Sequence, residues 1–426
     1  MSTFRDSLAP LRHKPYRHLV TGRVISLLGN SVAPIALAFA VLDLTDSPVA
    51  LGLVVGARSL TNVLFVLFGG VLADRLPRHL VMVGSSMLAA LTQAAVAALV
   101  LTGTATVPLL IGLSAINGVV SALAMPATAA LLPQTVPADQ LTPANALNRL
   151  GGNSAMIGGA ALGGILVAAV GPGWGLAADA ATFALGGLAF ALVRVPEVRD
   201  RTAPRESTLH ELRVGWTEFA SRSWVWTIVL AFMFINAANS GAMGVLGPTI
   251  ADRTIERSGW GIVLAVQTAG MVAGAVLALR LRVRRPLLVG CVAMFGYALP
   301  TVALAASPTL PVLVVSGFLA GVAAEQFAIA WDSSLQRHVP ADRLARVYSY
   351  DILGSFLAIP VGQVLAGPLD SWIGTENALL CAAALMTLSV TGMLANHRVR
   401  HLRADTPVTP STPIPAPAPA NATANA

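Results

Sequence analysis

Long apolar runs alternate along this chain with short polar links, and the runs are too long and too continuous to be the alternating strands of a barrel. A helix that crosses a bilayer needs about 20 mostly apolar residues. By that measure spans fall near 18–42, 48–74, 79–101, 107–133, 144–170 and 175–193, and again near 223–250, 259–280, 286–305, 309–335, 347–367 and 374–396. In lipid every backbone amide must be bonded within its own segment, so the pattern predicts twelve helices. The runs at 144–170 and 223–250 are interrupted by Gly and Asn, and one longer break stands at 194–222.

Composition supports a lipid solvent. Of 426 residues, 55% are hydrophobic and 11% charged, against roughly 25% charged in a soluble domain, and mean hydropathy is +0.72. The chain lacks the polar residues needed to coat a water-soluble core of this size.

The net charge of +7 and pI near 10.4 would suggest nucleic acid in a soluble protein, but the distribution decides otherwise. Of 27 Lys and Arg, 23 lie in or at the edge of alternate links beginning with the N-terminus; the opposite links hold Arg253 and Arg257, and Arg23 and Arg58 lie within spans. Basic residues gather on the cytoplasmic side of membrane proteins. Both termini and the 194–222 link are therefore expected in the cytoplasm, and no nucleic-acid partner is expected.

The N-terminal run is too long for a signal peptide, so the first span is expected to be retained. Cys291 and Cys381 lie in spans without a second thiol or His at ligand spacing, which fits apolar fillers. The Pro/Ala/Thr-rich stretch 398–426 is expected to be an extended, disordered cytoplasmic tail. "GGNSAMIGG" is not followed by the Gly-Lys-Ser/Thr of a phosphate loop, and the seven His residues lack metal-ligand spacing. No enzyme, metal or cofactor is predicted, which leaves an ion gradient rather than ATP as energy source.

The chain also repeats itself. "VPADQL" at 136–141 returns as "VPADRL" at 339–344, and "GGVLADR" at 69–75 returns as "GAVLALR" at 274–280, offsets of 203 and 205. Two six-span halves of like orientation follow, 1–193 and 223–397, joined by 194–222. Parallel halves related by an axis along the membrane normal, with a substrate site near the midplane, are the plan of one transporter class.

The segment "GGVLADRLPRH" matches the Gly-x-x-x-Asp-Arg-x-x-Arg link between spans two and three of the major facilitator superfamily, and "GAVLALRLRVRR" is its weaker copy. Over residues 15–397 the chain resembles that superfamily. "ISLLGNSVAPIALAFAVLDLTDSPVALGLV" and "LQRHVPADRLARVYS" resemble its bacterial drug- and siderophore-exporting branch. The resemblance implies an all-α integral membrane protein of twelve helices in two pseudo-symmetric six-helix bundles, in the inner membrane.

It also implies a latch at Gly70, Asp74, Arg75 and Arg78. Gly69 and Gly70 allow close helix approach, and Asp74 would meet the positive N-terminus of span eleven near Arg346-Val347-Tyr348. A simple topology anchor is the plainer reading of the same residues. Pro77 replaces the family's usual Gly, and Leu279 in the second copy stands where Asp74 stands in the first, which makes the latch one-sided.

Charges deep in spans are costly enough to suggest function. Spans one, four, seven and ten line the cavity in the family, which makes Glu325 the first candidate proton site, with Asp332 seven residues on along the same helical face. A carboxyl bonded to a helix neighbour is the alternative. Asp332, Asp179 and Arg58 are the further proton-coupling candidates; as structural readings, Asp332 is expected to partner the basic 337–346 region, Arg58 and Asp179 to form an intra-half pair if their spans touch, Arg23 to snorkel, and Asp351 to cap span eleven.

The stretch 158–175 approximates the family's antiporter motif, with Gly159, Gly163 and Gly164 placed to pack the halves together and Ala160 where Pro is usual. Span four carries Asn117 and Gly118 instead of the basic residue of many drug/proton antiporters. Asn30, Asn117, Asn236, Asn239, Gln326 and Trp331 are the candidate cavity residues, a surface suited to a moderately hydrophobic organic molecule.

The sequence thus predicts a monomeric proton-coupled exporter of small hydrophobic compounds working by alternating access. An importer or facilitator, or a membrane sensor that has kept the fold without transport, are the alternatives.

Overall fold

The structure is a computed structural model that describes residues 8–75, 78–194, 216–280 and 283–403, without the side chains of 66–79, 124–130, 138, 142, 279, 341, 342 and 345. Among the described residues twelve apolar helices follow in order, eleven of them long and apolar enough to cross a membrane and the fourth with a shorter apolar stretch at Val107–Leu123. In the first half these are α1 Lys14–Thr45, α2 Pro48–Arg75, α3 Arg78–Leu101, α4 Val107–Leu131, α5 Leu141–Val170 and α6 Pro172–Ala191. In the second they are α7 Ser223–Thr254, α8 Glu256–Arg280, α9 Pro286–Ala306, α10 Leu310–His338, α11 (Ala341–Phe356 with Ile359–Ile373) and α12 Thr375–Ala395. The predicted tail beyond 403 lies outside the described residues, as does most of the linker.

The helix ends follow from local chemistry. α4, α6, α9 and α10 open on Pro108, Pro172, Pro286 and Pro311 in their first two positions, where a missing N–H costs nothing. Pro360 breaks α11, because its ring cannot coexist with the carbonyl four residues back at Phe356. α7 carries a π-turn at Ala242–Leu246, the kind of insertion that bends a helix. One residue, Gly171 at φ 91°, joins α5 to α6, and one residue, Gly374 at φ 82°, joins α11 to α12. Their spacing, 374 minus 171, is 203, the offset of the VPAD repeat.

Packing repeats with the same symmetry. In the first half α2 lies on α4, α3 on α6, and α1 on α5 and α6; in the second α8 lies on α10, α9 on α12, and α7 on α11 and α12. The halves meet through α5 with α8 and α2 with α11, themselves an equivalent pair of contacts.

The apolar core shows where they are joined. An even number of crossings places both chain ends on one side, called here the terminal side. On the far side one continuous cluster runs from Val32, Phe39, Leu51 and Val167 of the first half to Val245, Trp260, Leu304 and Leu379 of the second. Toward the terminal side each half has its own core, around Tyr16, Met82 and Phe190 in the first and Trp224, Phe327 and Leu335 in the second. Among the described residues, the bundles are fused on the far side and part toward the terminal side.

Gly164 shows how tight the far-side seam is. A Cβ there would stand 2.8 Å from Cα of Gly261 and 3.0 Å from the carbonyl oxygen of Arg257. Gly159 and Gly163 differ from expectation, since they face Leu28 and Val32 of α1 within their own half. We expect Gly164→Val to strain this closure by about 2 kcal/mol. Maleimide labelling of Val49→Cys from the far side, in a background lacking Cys291 and Cys381, should rise above the parent rate; an unchanged rate contradicts the seam.

The described end of the linker is a short helix at 216–221 clamped to the second half. Trp216 and Phe219 pack on Tyr350 with ring centroids 5.6 and 5.7 Å away. Glu218 accepts from Arg343 at 2.6 Å and pairs with Arg222. Burial works against the Glu218 carboxylate, but the hydrogen bonds from Arg343 and Arg222 outweigh it and hold its pKa below the ordinary value. The clamp is therefore fully present above the unfolded carboxylate range and is lost as pH falls through the lowered folded value. Amide exchange at 216–221 should accelerate below about pH 4 and should be fast at neutral pH in Glu218→Ala; protection that ignores both changes would contradict the clamp.

Candidate functional site

Polar side chains collect at mid-depth in the first half, Thr92, Gln93, Asn117 and Asp179 buried and Asn30, Arg58, Thr61 and Asn62 half-buried. Arg58 of α2 donates to Asn30 of α1 at 3.2 Å, and Gln93 of α3 donates to Asp179 of α6. Asn117 donates to Thr92 at 3.3 Å, Thr61 to the Ala115 carbonyl at 2.8 Å, and Asn62 to the Gly118 carbonyl at 3.3 Å. The α2 and α4 backbones approach closely because position 118 is glycine, with the Arg58 carbonyl against it. These bonds tie all helices of the half except α5 into one layer.

Two expectations change here. Asn117, only 3% exposed, is buried and donates from α4 to Thr92 of α3, a helix-to-helix bond where a cavity-lining amide was expected. Arg58 and Asp179 are not in ion-pair contact among the described residues; each is bonded instead to a neutral amide.

In the second half Glu325 is half-buried at the middle of α10, its Cβ close against Gly274 of α8. Arg149 of α5, in the opposite half, is near enough to act on its charge, as is Asp332. Gln326 donates to the Gly274 carbonyl and Asn236 to the Ser355 carbonyl at 2.9 Å, so both half-buried amides pin helices together. Asn239 is half-buried.

Trp331, expected at the cavity, packs against its neighbours. It is 6% exposed, stacked with Phe327 and edge-on to Trp224. Its indole N–H donates to Asp351 at 2.8 Å, and Ser355 donates to the other oxygen at 3.1 Å. Asp351 lies ten residues into α11 and so bridges α10 to α11 instead of capping a helix. Asp332 accepts from the Tyr348 phenol of α11 at 3.0 Å. The latch side chains of Gly70, Asp74, Arg75 and Arg78 lie outside those described; the backbone shows that they end α2 and begin α3.

The sequence reading missed an ion network on the far side. Arg257 of α8 grips both carboxylate oxygens of Asp43 of α1, one at 3.0 Å, and its Nε donates to Asp252 at 2.9 Å. Its guanidinium lies 4.9 Å from the ring centre of Phe39, and Arg253 reaches Asp46 at 3.3 Å. Both cross-half pairs join α1 to the α7–α8 corner, next to the apolar seam. Arg253 and Arg257 stood out as the sole basic residues of their side, but their partners are far away in sequence.

Two six-helix bundles that, among the described residues, are fused on one side and part toward the other, with carboxyls at mid-depth, have the plan of a major facilitator transporter and not of an enzyme. A family model described as transmembrane secretion effector matches residues 5–425, and the chain belongs to that family. It is 26% identical over 387 residues to an uncharacterized MFS-type transporter, YfiS, of Bacillus subtilis (strain 168), covering 87% of this chain and 90% of that protein. It is likewise 26% identical over 375 residues to the multidrug efflux pump Tap of Mycolicibacterium fortuitum, covering 84% and 90%. Among solved structures, the nucleoside transporter NupG aligns with a TM-score of 0.70 at 14% identity over 89% of this chain and 98% of its own. A bacterial homologue of the iron transporter ferroportin aligns at 0.69 and 18% identity, with the same coverage. At such identities the likeness is one of fold.

An exposed ion pair is worth about 1 kcal/mol or less, a population shift of about fivefold at most. Asp43→Ala should therefore raise far-side labelling of Val49→Cys by a few-fold, and the exchange Asp43→Arg with Arg257→Asp should bring it back toward the parent. Equal labelling in all three proteins would show that the network does not hold the gate.

Proposed function

We propose that this protein is a proton-coupled exporter of small, moderately hydrophobic compounds, working as a monomer in the inner membrane with both termini in the cytoplasm. The observation that carries the proposal is a far side sealed by apolar packing and ion pairs, while the bundles part toward the side richest in Lys and Arg. By the charge rule that side is cytoplasmic, so the cleft stands ready to take substrate from the cell interior or its inner leaflet. The multidrug efflux pump Tap, similar over most of the chain, supports the direction and the substrate class.

Glu325 is the proton-exchanging carboxyl facing the interior of this reading: it is at mid-depth, half-buried, and within reach of Arg149 across the cleft. Asp332 and Asp351, each bonded to an aromatic partner, hold the α10–α11 pair together behind it. Asn30, Asn239 and the borders of Asn236 and Gln326 offer sparse hydrogen bonding amid apolar surface, which suits drug-like molecules better than sugars. Asp74, Arg75 and Arg78, with Gly70 allowing close helix approach, would latch the cytoplasmic side when the bundles rock the other way.

The test is ethidium accumulation in inverted membrane vesicles under an imposed pH gradient. Uptake that an uncoupler abolishes, and that Glu325→Gln and Asp74→Asn both reduce, is expected. Uptake that is indifferent to the gradient would favour a facilitator, and dye binding without uptake would favour a sensor.

A further inference from the structure

Asp179 is the most deeply buried carboxyl of the described chain, with none of its surface exposed. It lies at the middle of α6, where its Oδ2 accepts from Gln93 while its Oδ1 has no hydrogen-bond partner. The orphaned oxygen faces Gly29 of α1; a Cβ there would stand 2.8 Å from it, so the backbone comes up against the carboxyl. On the next residue of α1, Asn30 holds the guanidinium of Arg58 by its side-chain oxygen.

Two opposite charges buried in one bundle are expected to find each other, since each alone in a medium of low dielectric is unfavourable. These two have not. Arg58 is bonded to a neutral amide, Asp179 to another, and one carboxyl oxygen is left bare. Their contacts on α1 fall on adjacent residues, Gly29 and Asn30; a carboxylate would draw Arg58 toward itself, and a carboxylic acid would not.

Resting on the exporter reading above, we propose that Asp179 carries a transported proton in this state and that Arg58 is the movable charge that replaces it. When the O–H bond of Asp179 breaks, the proton passes to water and Arg58 leaves the Asn30 oxygen for the carboxylate, so the bundle is never left with an uncompensated anion. When a proton returns, Arg58 goes back to Asn30. The groups that α1 and α3 present to Asp179 are Gly29 and Gln93, both uncharged, and the charge acting on it is that of Arg58.

The surroundings give the exchange a route and an output. Ser26, one turn closer to the terminal side on α1 and set against Gly186 of α6, is among the described residues the other buried side-chain oxygen of this half without a partner. Both lie on the α1–α6 seam, a polar step from Asp179 toward the side where the bundles part. Arg58 in turn sits on α2 directly after the stretch that packs on the other half, where Gly56 meets Val364 and Gly52 meets Gln363. A guanidinium that moves between Asn30 and Asp179 therefore moves on a helix that forms the interface between the bundles. Glu325, in the other half, would keep its separate role facing the cleft.

The direct test is the infrared carboxylic-acid C=O band of the purified chain in lipid nanodiscs at neutral pH. The band should lose a component in Asp179→Asn and keep it in Glu325→Gln. Asp179→Glu should restore a protonated-acid band. This readout needs no substrate, so it stands whether or not the protein proves to be an exporter. For coupling, Asp179→Asn should keep ethidium exchange across vesicles without a gradient while losing gradient-driven accumulation, and Arg58→Gln with Asp179→Asn should not regain it. A band unaltered in Asp179→Asn would overturn the proposal, as would gradient-driven accumulation restored by the double variant, because either result makes the two residues an ordinary structural pair.

Discussion

The absence of water from the bilayer is the constraint on which the rest of the structure depends. It forces the backbone into helices that satisfy their own amides, and it leaves every polar side chain at mid-depth in need of a partner. Asn117 with Thr92, Gln326 with the Gly274 carbonyl and Trp331 with Asp351 are local answers to that need. Together they fix the relative positions of the helices within each bundle. The bundles can then behave as rigid bodies, and the movable surface is the one between them.

That surface is built asymmetrically. On the far side it has backbone-to-backbone approach at Gly164 and Gly261, a shared apolar core and the Asp43–Arg257 grip. Ion pairs at an exposed rim are individually weak, so the network sets register and a modest bias while the packed seam supplies most of the closure. A gate meant to open needs this proportion. A seam held by deeply buried ion pairs would be costly to separate, because each charge would lose its partner before water reached it.

The helices, their number and the two-fold repeat were legible in the sequence because hydropathy and length alone specify them in lipid. The faces of those helices were not. Asn117 and Trp331 were placed in the cavity by residue type, yet each faces a neighbouring helix, and no one-dimensional spacing distinguishes the two faces of a span apolar all round. Asp351 was misplaced because the start of α11 lies earlier than hydropathy suggests, at Ala341, in a polar first stretch. The far-side network escaped for another reason: Asp43 and Arg257 are separated by 214 positions, and only the fold brings them together. By contrast the Gly171 and Gly374 turns were within reach, since they share the repeat offset already visible in VPAD.

The central claim is that the bundles exchange a far-side closure for a terminal-side one. Spin-label distances measure this most directly, with one pair at Leu44 and Thr254 on the far side and another at Leu80 and His401 on the terminal side, recorded in lipid nanodiscs across a range of pH. Reciprocal change, with the far pair lengthening as the terminal pair shortens, is the result predicted by rocking bundles. Two distances that stay fixed at every pH, or that lengthen together, would contradict it.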